Sequence, residues 1–386
     1  MKEELYLDNA ATVKPVYPEN MIHIISEYLK ENWYNPSSKY SKGQNIRKLI
    51  ENARQTTADF IGANKDEIYF TSGASESNSW AIQGFVKQCE IDGYTPIIIT
   101  SYMEHSSILK TVEAMKLYSA VFYVKNDEFG FVDHKDLENI LIKCTNQKSK
   151  VKILVSIMAS NNEIGTIQNI LVLCQIAHRY NAIFHTDATQ LLHYKLFSNG
   201  WLNVDMLSAS AQKIGGLKGN GFLYIKNGIK IQPLIYGEQE NGLRGGTENV
   251  LGILAIELAI KGNDYNYTGE IDRRRDYLIK RLNENFDCKI NGSIIKRLPN
   301  NVNVTFNYNI TGEALIYILD MDNIYISAGS ACNSSSNEPS HVLKAIGLTD
   351  EEASRTIRIS LPDDITIEKI DYFIDRLEKA IKLLTS

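Results

Sequence analysis

The sequence predicts an α/β protein with a seven-stranded, mostly parallel sheet in a large domain, and a smaller α+β domain. Between residues 68 and 225, short and continuously apolar runs alternate with helical segments. Strands that are apolar along their whole length are buried on both faces, as in a parallel sheet covered by helices. A polar stretch at residues 263–266 follows this part. We therefore predict a large domain over residues 15–262 and a small domain made of residues 1–14 and 263–386.

The predicted elements of the large domain follow one another in regular order. A short strand at residues 6–12 precedes them in the part assigned to the small domain, and helices at residues 21–29 and 44–61 open the large domain, the second ending near Gly62. The seven strands of the sheet are predicted at residues 68–71, 96–100, 120–124, 152–158, 183–187, 204–208 and 222–225. Helices are predicted between them at residues 73–87, 105–118, 134–143 and 170–180.

The last third of the chain carries fewer and more separated elements. Thr247 can cap a strongly apolar helix that continues to Ile260. A helix at residues 273–283 and strands at residues 301–306 and 324–327 come after the polar stretch. A final helix places one apolar stripe on a single face, formed by Ile367, Ile370, Ile374, Leu377, Ile381 and Leu384. The elements that follow the polar stretch belong to the predicted small domain.

The composition excludes several classes of protein. The chain has 386 residues, 44% of them hydrophobic, and a formal charge of -5, so we expect no basic face for nucleic acid or a membrane. No apolar run has the length of a membrane span, and no signal peptide is visible. The five cysteines are scattered and odd in number, and no His/Cys cluster has metal-ligand spacing. We expect a cytoplasmic protein without a metal site.

Lys213 stands where a buried strand ends, between serines that precede it and glycines that follow it. A lysine in such a pocket can lose its proton and attack a carbonyl group. Pyridoxal 5'-phosphate (PLP) is held in this way, as a lysine Schiff base with an acidic partner at the ring nitrogen. The alternative is ordinary, since most lysines followed by glycine lie in turns with the ammonium group in water.

Other polar side chains follow the predicted strands at their carboxyl ends, where an open parallel sheet binds ligands. Ser75 opens a helix whose free N–H groups suit a phosphate, although it is equally an ordinary helix cap. Asp187 ends an apolar strand, and a carboxylate buried there needs a cationic partner such as a pyridinium nitrogen. His105 and Asn162 are candidates as well. His105 also fits the exposed start of a helix, and Asn162 also fits a turn.

Two residues near the carboxyl terminus complete the candidate set. Cys332 lies among small polar residues with no apolar pattern to bury it, which favours an accessible and reactive thiol over the usual inert one. Arg358 alternates with Ile357 and Ile359 on a strand. If Arg358 points inward it must meet an anion, and an amino-acid carboxylate suits its fork; otherwise it is a strand-surface arginine.

These residues and their neighbours resemble the cysteine desulfurases, which belong to the class V aminotransferase superfamily and have the type I PLP fold. The resemblance covers nearly the whole chain and implies PLP as cofactor and L-cysteine as substrate. The motifs that carry it are Tyr6 to Thr12, Asn35-Pro36, Phe70 to Asn78, Glu104-His105, Asn161 to Gly165, His185 to Gln190, Lys213, Arg244 to Asn249, Gly329 to Cys332, Glu338-Pro339 and Ile357-Arg358.

The resemblance implies a role for each cofactor-binding residue. Lys213 forms the Schiff base and later moves protons, and Asp187 keeps the ring nitrogen protonated. His105 stacks on the ring and serves as acid or base. The ring oxygen is contacted by Asn162 and Gln190. The phosphate is held by Ala74, Ser75, Ser210 and Gln212, with Thr247 reaching in from a second subunit, so a homodimer is implied.

The resemblance also implies how substrate and sulfur are handled. Arg358, Asn162 and Asn35 bind the substrate carboxylate. Cys332, on a loop of the small domain, takes the sulfur as a persulfide and leaves L-alanine. The persulfide then passes to an acceptor protein that serves iron–sulfur cluster or thiolation pathways.

Two other functions remain open from the sequence. The first is a selenocysteine lyase, or another PLP-dependent carbon–sulfur lyase or aminotransferase, in which Cys332 is incidental. The second is a weakly catalytic sulfur-transfer adaptor. Its support is Gln212, which stands where the family usually has histidine and cannot carry charge.

Overall fold

The computed structural model of the protein describes residues 4–15, 18–146, 150–194, 203–263, 269–328 and 339–385. Its α-helices are α1 (Pro18–Glu31), α2 (Ser41–Ile61), α3 (Ala74–Ile91), α4 (Ser106–Met115), α5 (His134–Thr145), α6 (Ile170–Arg179), α7 (Val250–Gly262), α8 (Glu270–Asn285), α9 (Gly312–Asp320), α10 (His341–Ala345), α11 (Asp350–Ser354) and α12 (Ile367–Thr385). Its strands are β1 (Leu5–Tyr6), β2 (Ile68–Thr71), β3 (Thr95–Ser101), β4 (Ala120–Val124), β5 (Val151–Ser156), β6 (Ile183–Asp187), β7 (Met206–Ser210), β8 (Gly221–Ile225), β9 (Cys288–Ile290), β10 (Asn301–Phe306), β11 (Ile324–Tyr325), β12 (Ser327–Ala328) and β13 (Thr356–Ser360).

The large sheet has seven strands in the order β2-β8-β7-β6-β5-β3-β4. Neighbouring strands from β7 through β4 are parallel, whereas β8 is antiparallel to both β7 and β2. This confirms the predicted seven-stranded, mostly parallel sheet. Because β5, β6 and β7 are parallel neighbours, the residues that follow them meet at one edge of the sheet.

A second, four-stranded sheet has the order β12-β13-β10-β9 and is antiparallel throughout. One hydrophobic core packs on the large sheet, and another combines Leu5 and Leu7 with residues from 271 to 381. The apolar stripe of the last helix faces this second core through Ile370, Ile374, Leu377 and Ile381. Two separate cores support the division into a large and a small domain, which stays a prediction.

The structure differs from the sequence prediction mainly where elements are very short. The strand predicted at residues 324–327 is two strands in two sheets, because Ile324 pairs in parallel with Leu5 while Ser327 pairs with Arg358. The three-residue strand β9 was not predicted, since it is too short for a period-2 pattern to register. Over the described ranges, no helix is both long and apolar enough to cross a membrane.

Candidate active site

A cavity of about 390 Å³ lies at the carboxyl ends of the parallel strands, which is a typical size for a small-molecule site. It brings together ten of the side chains predicted from the sequence. The ten are Ala74, Ser75, His105, Asn162, Asp187, Gln190, Ser210, Gln212, Lys213 and Arg358. Of the remaining predicted positions, Thr247 and Asn35 do not line it, and Cys332 is not among the described residues.

Lys213 lies in a single turn directly after β7 and points back toward the amino-terminal segment. Its Nζ donates to the carbonyl of Ala10 at 2.7 Å and to the carbonyl of Ala11. The segment is held there because the Val13 N–H donates to the Gln212 carbonyl at 3.0 Å. The amine is therefore fixed by protein groups at the cavity wall rather than extended into water.

Asp187 ends β6 and is 6% exposed. Its Oδ1 accepts the Thr189 N–H at 3.0 Å, and its Oδ2 accepts from Asn78 Nδ2 at 2.7 Å. These partners are neutral, and a buried carboxylate is stabilised much more by a cation than by neutral donors. The arrangement leaves Asp187 suited to a positively charged group in the cavity.

His105 is the residue that caps the start of α4. Its Nδ1 accepts the Ser107 N–H at 3.1 Å and lies 2.8 Å from Ser107 Oγ. Burial lowers the pKa of His105, the nearby Asp187 charge opposes this shift, and Lys213 adds to it. The ring is therefore neutral at physiological pH and faces the cavity as an imidazole.

The start of α3 forms the opposite wall. Gly73 precedes the helix with φ 145° and ψ 177°, and no side chain caps the helix. Gly221 of β8 lies directly against Gly73. It must be a glycine, because a Cβ added to Gly221 would lie 2.7 Å from the Gly73 Cα. A helix amino terminus without a side-chain cap, next to Ser210, is suited to bind an anion.

Arg358 points inward from β13 and is 2% exposed, so the strand-surface interpretation is wrong. The anion that it meets is Asp8, whose Oδ1 accepts from Nη2 at 2.7 Å. The guanidinium also donates to Ser327 Oγ at 3.1 Å and to the Asn162 carbonyl at 3.2 Å. Its buried Nε has no hydrogen-bond partner within the described ranges.

The two glutamines of the cavity also reach the amino-terminal segment. Gln190 Nε2 donates to the Ala10 carbonyl at 3.0 Å, and Gln212 Nε2 lies 3.5 Å from the Ala11 carbonyl. Together with Lys213, they converge on the Ala10-Ala11 segment. Sequence periodicity gave no indication that this segment closes the site.

Two predicted residues lie elsewhere, and a third lies outside the described residues. Thr247 is exposed and lines a separate cavity of about 190 Å³ beside Gly219 and Asn220. Asn35 is exposed, and its Oδ1 accepts the Ser37 N–H at 2.8 Å, which holds the side chain within its own loop. Cys332 falls outside the described residues. The roles predicted for these three stay predictions.

Comparison with known proteins identifies the relatives of this chain. The family described as Aminotransferase class-V matches residues 5–373. A protein named cysteine desulfurase IscS from Dictyoglomus turgidum is 45% identical, over 100% of this chain and 96% of its own length. Another protein of that name, from Clostridium botulinum strain Hall, is 41% identical over 99% of this chain and 95% of its own length. The chain belongs to the cysteine desulfurases of the class-V aminotransferase family.

Solved structures of other proteins agree with this membership. A structure titled "NIFS-LIKE PROTEIN" superposes with a TM-score of 0.87 at 33% identity, covering 99% of this chain and all of that one. A structure titled "SspA in complex with cysteine" superposes with a TM-score of 0.79 at 32% identity, covering 93% of this chain and 99% of that one. The type I fold predicted from the sequence motifs is therefore confirmed.

The cavity of this desulfurase fits PLP by its own geometry. Asp187 is a buried carboxylate without a cationic partner among the described residues, and a pyridinium N–H would supply one. The start of α3 offers backbone N–H groups for a phosphate. The hydroxyls of Ser160 and Thr189, which also line the cavity, are buried without a hydrogen-bond partner in the described chain. Unsatisfied polar groups of this kind indicate a polar ligand.

Several residues of the site were missed in the sequence. Asp8 faces Arg358 from the other end of the chain, and Asn78 and Ser107 lie behind Asp187 and His105. Asn78 follows Ala74 by one helical turn, so helical spacing could have placed it on the same face as the cavity. Asp8 carried no such local signal, because its partner is 350 residues away.

The described cysteines are unsuited to nucleophilic chemistry. Burial raises the pKa of Cys89 and Cys174 to about 12, and it raises the pKa of Cys288 to about 11. Burial also raises the pKa of Cys144. Because the thiolate is the reactive form, these four thiols are inert at neutral pH, as expected from the sequence.

Proposed function

We propose that this protein uses PLP to remove sulfur from L-cysteine, giving L-alanine and a persulfide on Cys332. The observation that carries the proposal is that Lys213, Asp187 and the start of α3 open into one cavity. PLP needs a lysine at its aldehyde and a helix amino terminus at its phosphate. It also needs a buried acid without a cationic partner at its ring nitrogen.

The residues that would hold the cofactor follow from their positions. Lys213 would bind its aldehyde carbon, and Asp187 would accept a hydrogen bond from its ring nitrogen. Ala74 and Ser75, through backbone N–H groups, would bind the phosphate with Ser210 and Gln212. When bound, PLP supplies an electron sink that makes bonds near the amino-acid Cα labile. His105, Asn162 and Gln190 would then contact the ring.

The substrate carboxylate would bind at Arg358. Its guanidinium is a planar donor fork, and the carbonyl of Asn162 lies 3.2 Å from Nη1. Asp8 already accepts from Nη2, so the carboxylate would share the fork with it or displace it. Asn35 remains a proposed second contact, supplied from outside this cavity.

Sulfur transfer would join the Cys332 sulfur to the substrate sulfur. The thiolate of Cys332 forms a sulfur–sulfur bond while the carbon–sulfur bond of L-cysteine breaks. The electron pair of that bond stays with carbon, which takes up a proton and becomes the methyl group of L-alanine. Thiol plus cysteine thus gives persulfide plus alanine without an external oxidant. Release of the sulfur requires a thiol reductant or an acceptor protein.

We further propose a homodimer that acts in the cytoplasm. The exposed position of Thr247, beside a cavity of its own, supports a role toward a second subunit. Four described cysteines are free thiols, which supports a reducing compartment. The acceptor that we propose is a protein of iron–sulfur cluster or thiolation pathways.

A Cys332→Ser variant tests the function. We expect it to bind PLP and form coloured adducts with L-cysteine, yet release almost no sulfide with a thiol reductant present. The wild type should give alanine and sulfide in equal amounts, whereas a keto acid as product would indicate an aminotransferase. Lys213→Ala should lose the visible absorption, and Lys218→Ala, an exposed neighbour, should keep it. Normal turnover by Cys332→Ser would rule out the persulfide step.

A further inference from the structure

Buried hydrogen bonds behind His105 connect it to Asp187. Asn78 lies near the start of α3 and its side chain is fully buried. Its Nδ2 donates to Asp187 Oδ2 at 2.7 Å and to Ser107 Oγ at 3.0 Å. Ser107 Oγ in turn lies 2.8 Å from His105 Nδ1. One amide group therefore joins the carboxylate of β6 to the first turn of α4.

Each bond in this chain has a fixed direction. An ionised carboxylate only accepts hydrogen bonds, so Asp187 turns the NH₂ end of Asn78 toward itself. The same NH₂ group donates to Ser107 Oγ, because an amide nitrogen cannot accept. The Ser107 hydroxyl hydrogen then points to His105 Nδ1, which the Ser107 backbone N–H also approaches at 3.1 Å.

We propose that Asn78 is a positioning residue that, through Ser107, holds His105 in the tautomer with its proton on Nε2. A neutral imidazole has one donor nitrogen and one acceptor nitrogen, and two donors converge on Nδ1. His105 lines the cavity, and in this tautomer Nε2 is the donor nitrogen of its ring. The charge of Asp187 thus acts together with the Ser107 backbone N–H on a ring that Asp187 does not contact through a direct hydrogen bond.

The consequence for catalysis rests on the proposed function. An imidazole with its proton on Nε2 is a hydrogen-bond donor to a ligand and cannot accept a proton at that atom. His105 would therefore begin the reaction as a donor. A role as general base at Nε2 would first require the ring proton to move to Nδ1, against the Asn78–Ser107 contact.

The tautomer can be measured directly by nuclear magnetic resonance. In protein labelled with ¹⁵N-histidine and carrying its cofactor, long-range proton–nitrogen correlations distinguish the two tautomers, and a His105→Gln variant identifies the His105 signals. We expect the wild type to contain only the Nε2–H form of neutral His105. In Asn78→Leu, the Ser107 backbone N–H is the one fixed donor left to Nδ1 and Ser107 Oγ is free to accept from it, so the Nδ1–H form should become a detectable second species.

Two further variants make the test specific. Asn291 is another buried asparagine whose Nδ2 donates twice, to Asn303 Oδ1 and Thr305 Oγ1, both at 2.7 Å. Asn291→Leu should leave the His105 spectrum unchanged, even if it lowers stability equally. If Asn78→Leu does not fold, Asp187→Asn removes the charge that orients Asn78 and should also release the Nδ1–H form.

The proposal fails if wild-type His105 carries its proton on Nδ1. It also fails if Asn78→Leu and Asp187→Asn, where they fold, contain only the Nε2–H form. Neither result depends on sulfur release, so the proposed desulfurase function is tested separately by product analysis.

Discussion

The Arg358–Asp8 pair would determine how a substrate carboxylate reaches the site that we propose for it. Both groups are held by the backbone around them, since the Ala10 N–H donates to Ser360 Oγ at 2.9 Å and joins the amino-terminal segment to β13. Arg358 keeps one buried donor, Nε, without a partner in the described chain. A buried donor that lacks an acceptor is costly, so a ligand carboxylate that accepts from it is stabilised.

Replacing Arg358 with lysine should weaken substrate binding without preventing folding. Lysine keeps the charge but loses the planar fork, and charge-assisted hydrogen bonds contribute about 1.5–3 kcal/mol. We expect the KM for L-cysteine to rise about 10- to 100-fold, with a smaller change in kcat, in steady-state alanine assays. Arg355→Lys is the matched control, since within the described residues the Arg355 side chain donates to Glu351 of the preceding helix and to no other group. An unchanged KM in Arg358→Lys would exclude Arg358 as the carboxylate site.

Among the elements, the turn between β3 and α4 is organised by a buried acid. Glu104 is fully buried, and its carboxyl group accepts from Ser101 Oγ at 2.7 Å and from the Met158 N–H at 2.9 Å. Burial raises the pKa of Glu104 to about 8, although these two hydrogen bonds oppose the shift. The turn that carries His105 is thus fixed to the end of β5 by a carboxyl group that is protonated at neutral pH.

This carboxyl group should make stability depend on pH. Its pKa is higher in the folded protein than in the unfolded chain, so the folded state binds the proton more tightly. The free energy of unfolding should therefore fall as pH rises from 4.5, the ordinary value, to about 8. The slope from this one group is at most about 1.4 kcal/mol per pH unit.

Urea denaturation of wild type and Glu104→Gln across this pH range measures the effect. As pH rises from 4.5 to about 8, we expect the free energy of unfolding to fall less in the variant than in the wild type, because glutamine does not ionise. Glu128→Gln, at an exposed position, should follow the wild type. Parallel curves for wild type and Glu104→Gln would contradict the assigned protonation state.

At the scale of the whole molecule, the site is assembled across the two cores. β13 contributes Arg358 from the small sheet, and β6 contributes Asp187 from the large one. A smaller cluster packs Val342, Leu343 and Ile346 against Met103 and Met158 of the predicted large domain. The same region is tied by polar contacts, since Ser340 Oγ donates to Glu163 and His341 Nε2 lies 2.9 Å from the Glu104 carbonyl.

Ser340→Ala should weaken this contact between the two predicted domains. Glu163 is buried, burial raises its pKa, and the Ser340 hydroxyl is a donor to it. Loss of a partner from a buried acceptor costs about 1–3 kcal/mol, which we expect as a lower free energy of unfolding in urea. Ser354→Ala removes an exposed hydroxyl and should change stability much less. Equal stability of Ser340→Ala and wild type would show that the contact contributes nothing.

The sequence predicted the parts of this protein that follow from local patterns. Apolar runs located the strands of the large sheet, and the rule that ligands bind at the carboxyl ends of parallel strands gathered Asp187, Lys213 and His105. It did not predict the Arg358–Asp8 pair, because strand pairing across 350 residues leaves no local signal. Asn78 and Ser107 were missed for a similar reason, since their contacts depend on how α3 packs against α4.

The high pKa values of four cysteines have a practical consequence. With a pKa of about 11, Cys288 has on the order of one thiolate per ten thousand thiols at pH 7. Soft electrophiles such as iodoacetamide, and mild oxidants, react with thiolates and so will largely spare Cys89, Cys144, Cys174 and Cys288. Spectroscopic labels can therefore be attached through cysteine chemistry at neutral pH without first mutating these four positions away.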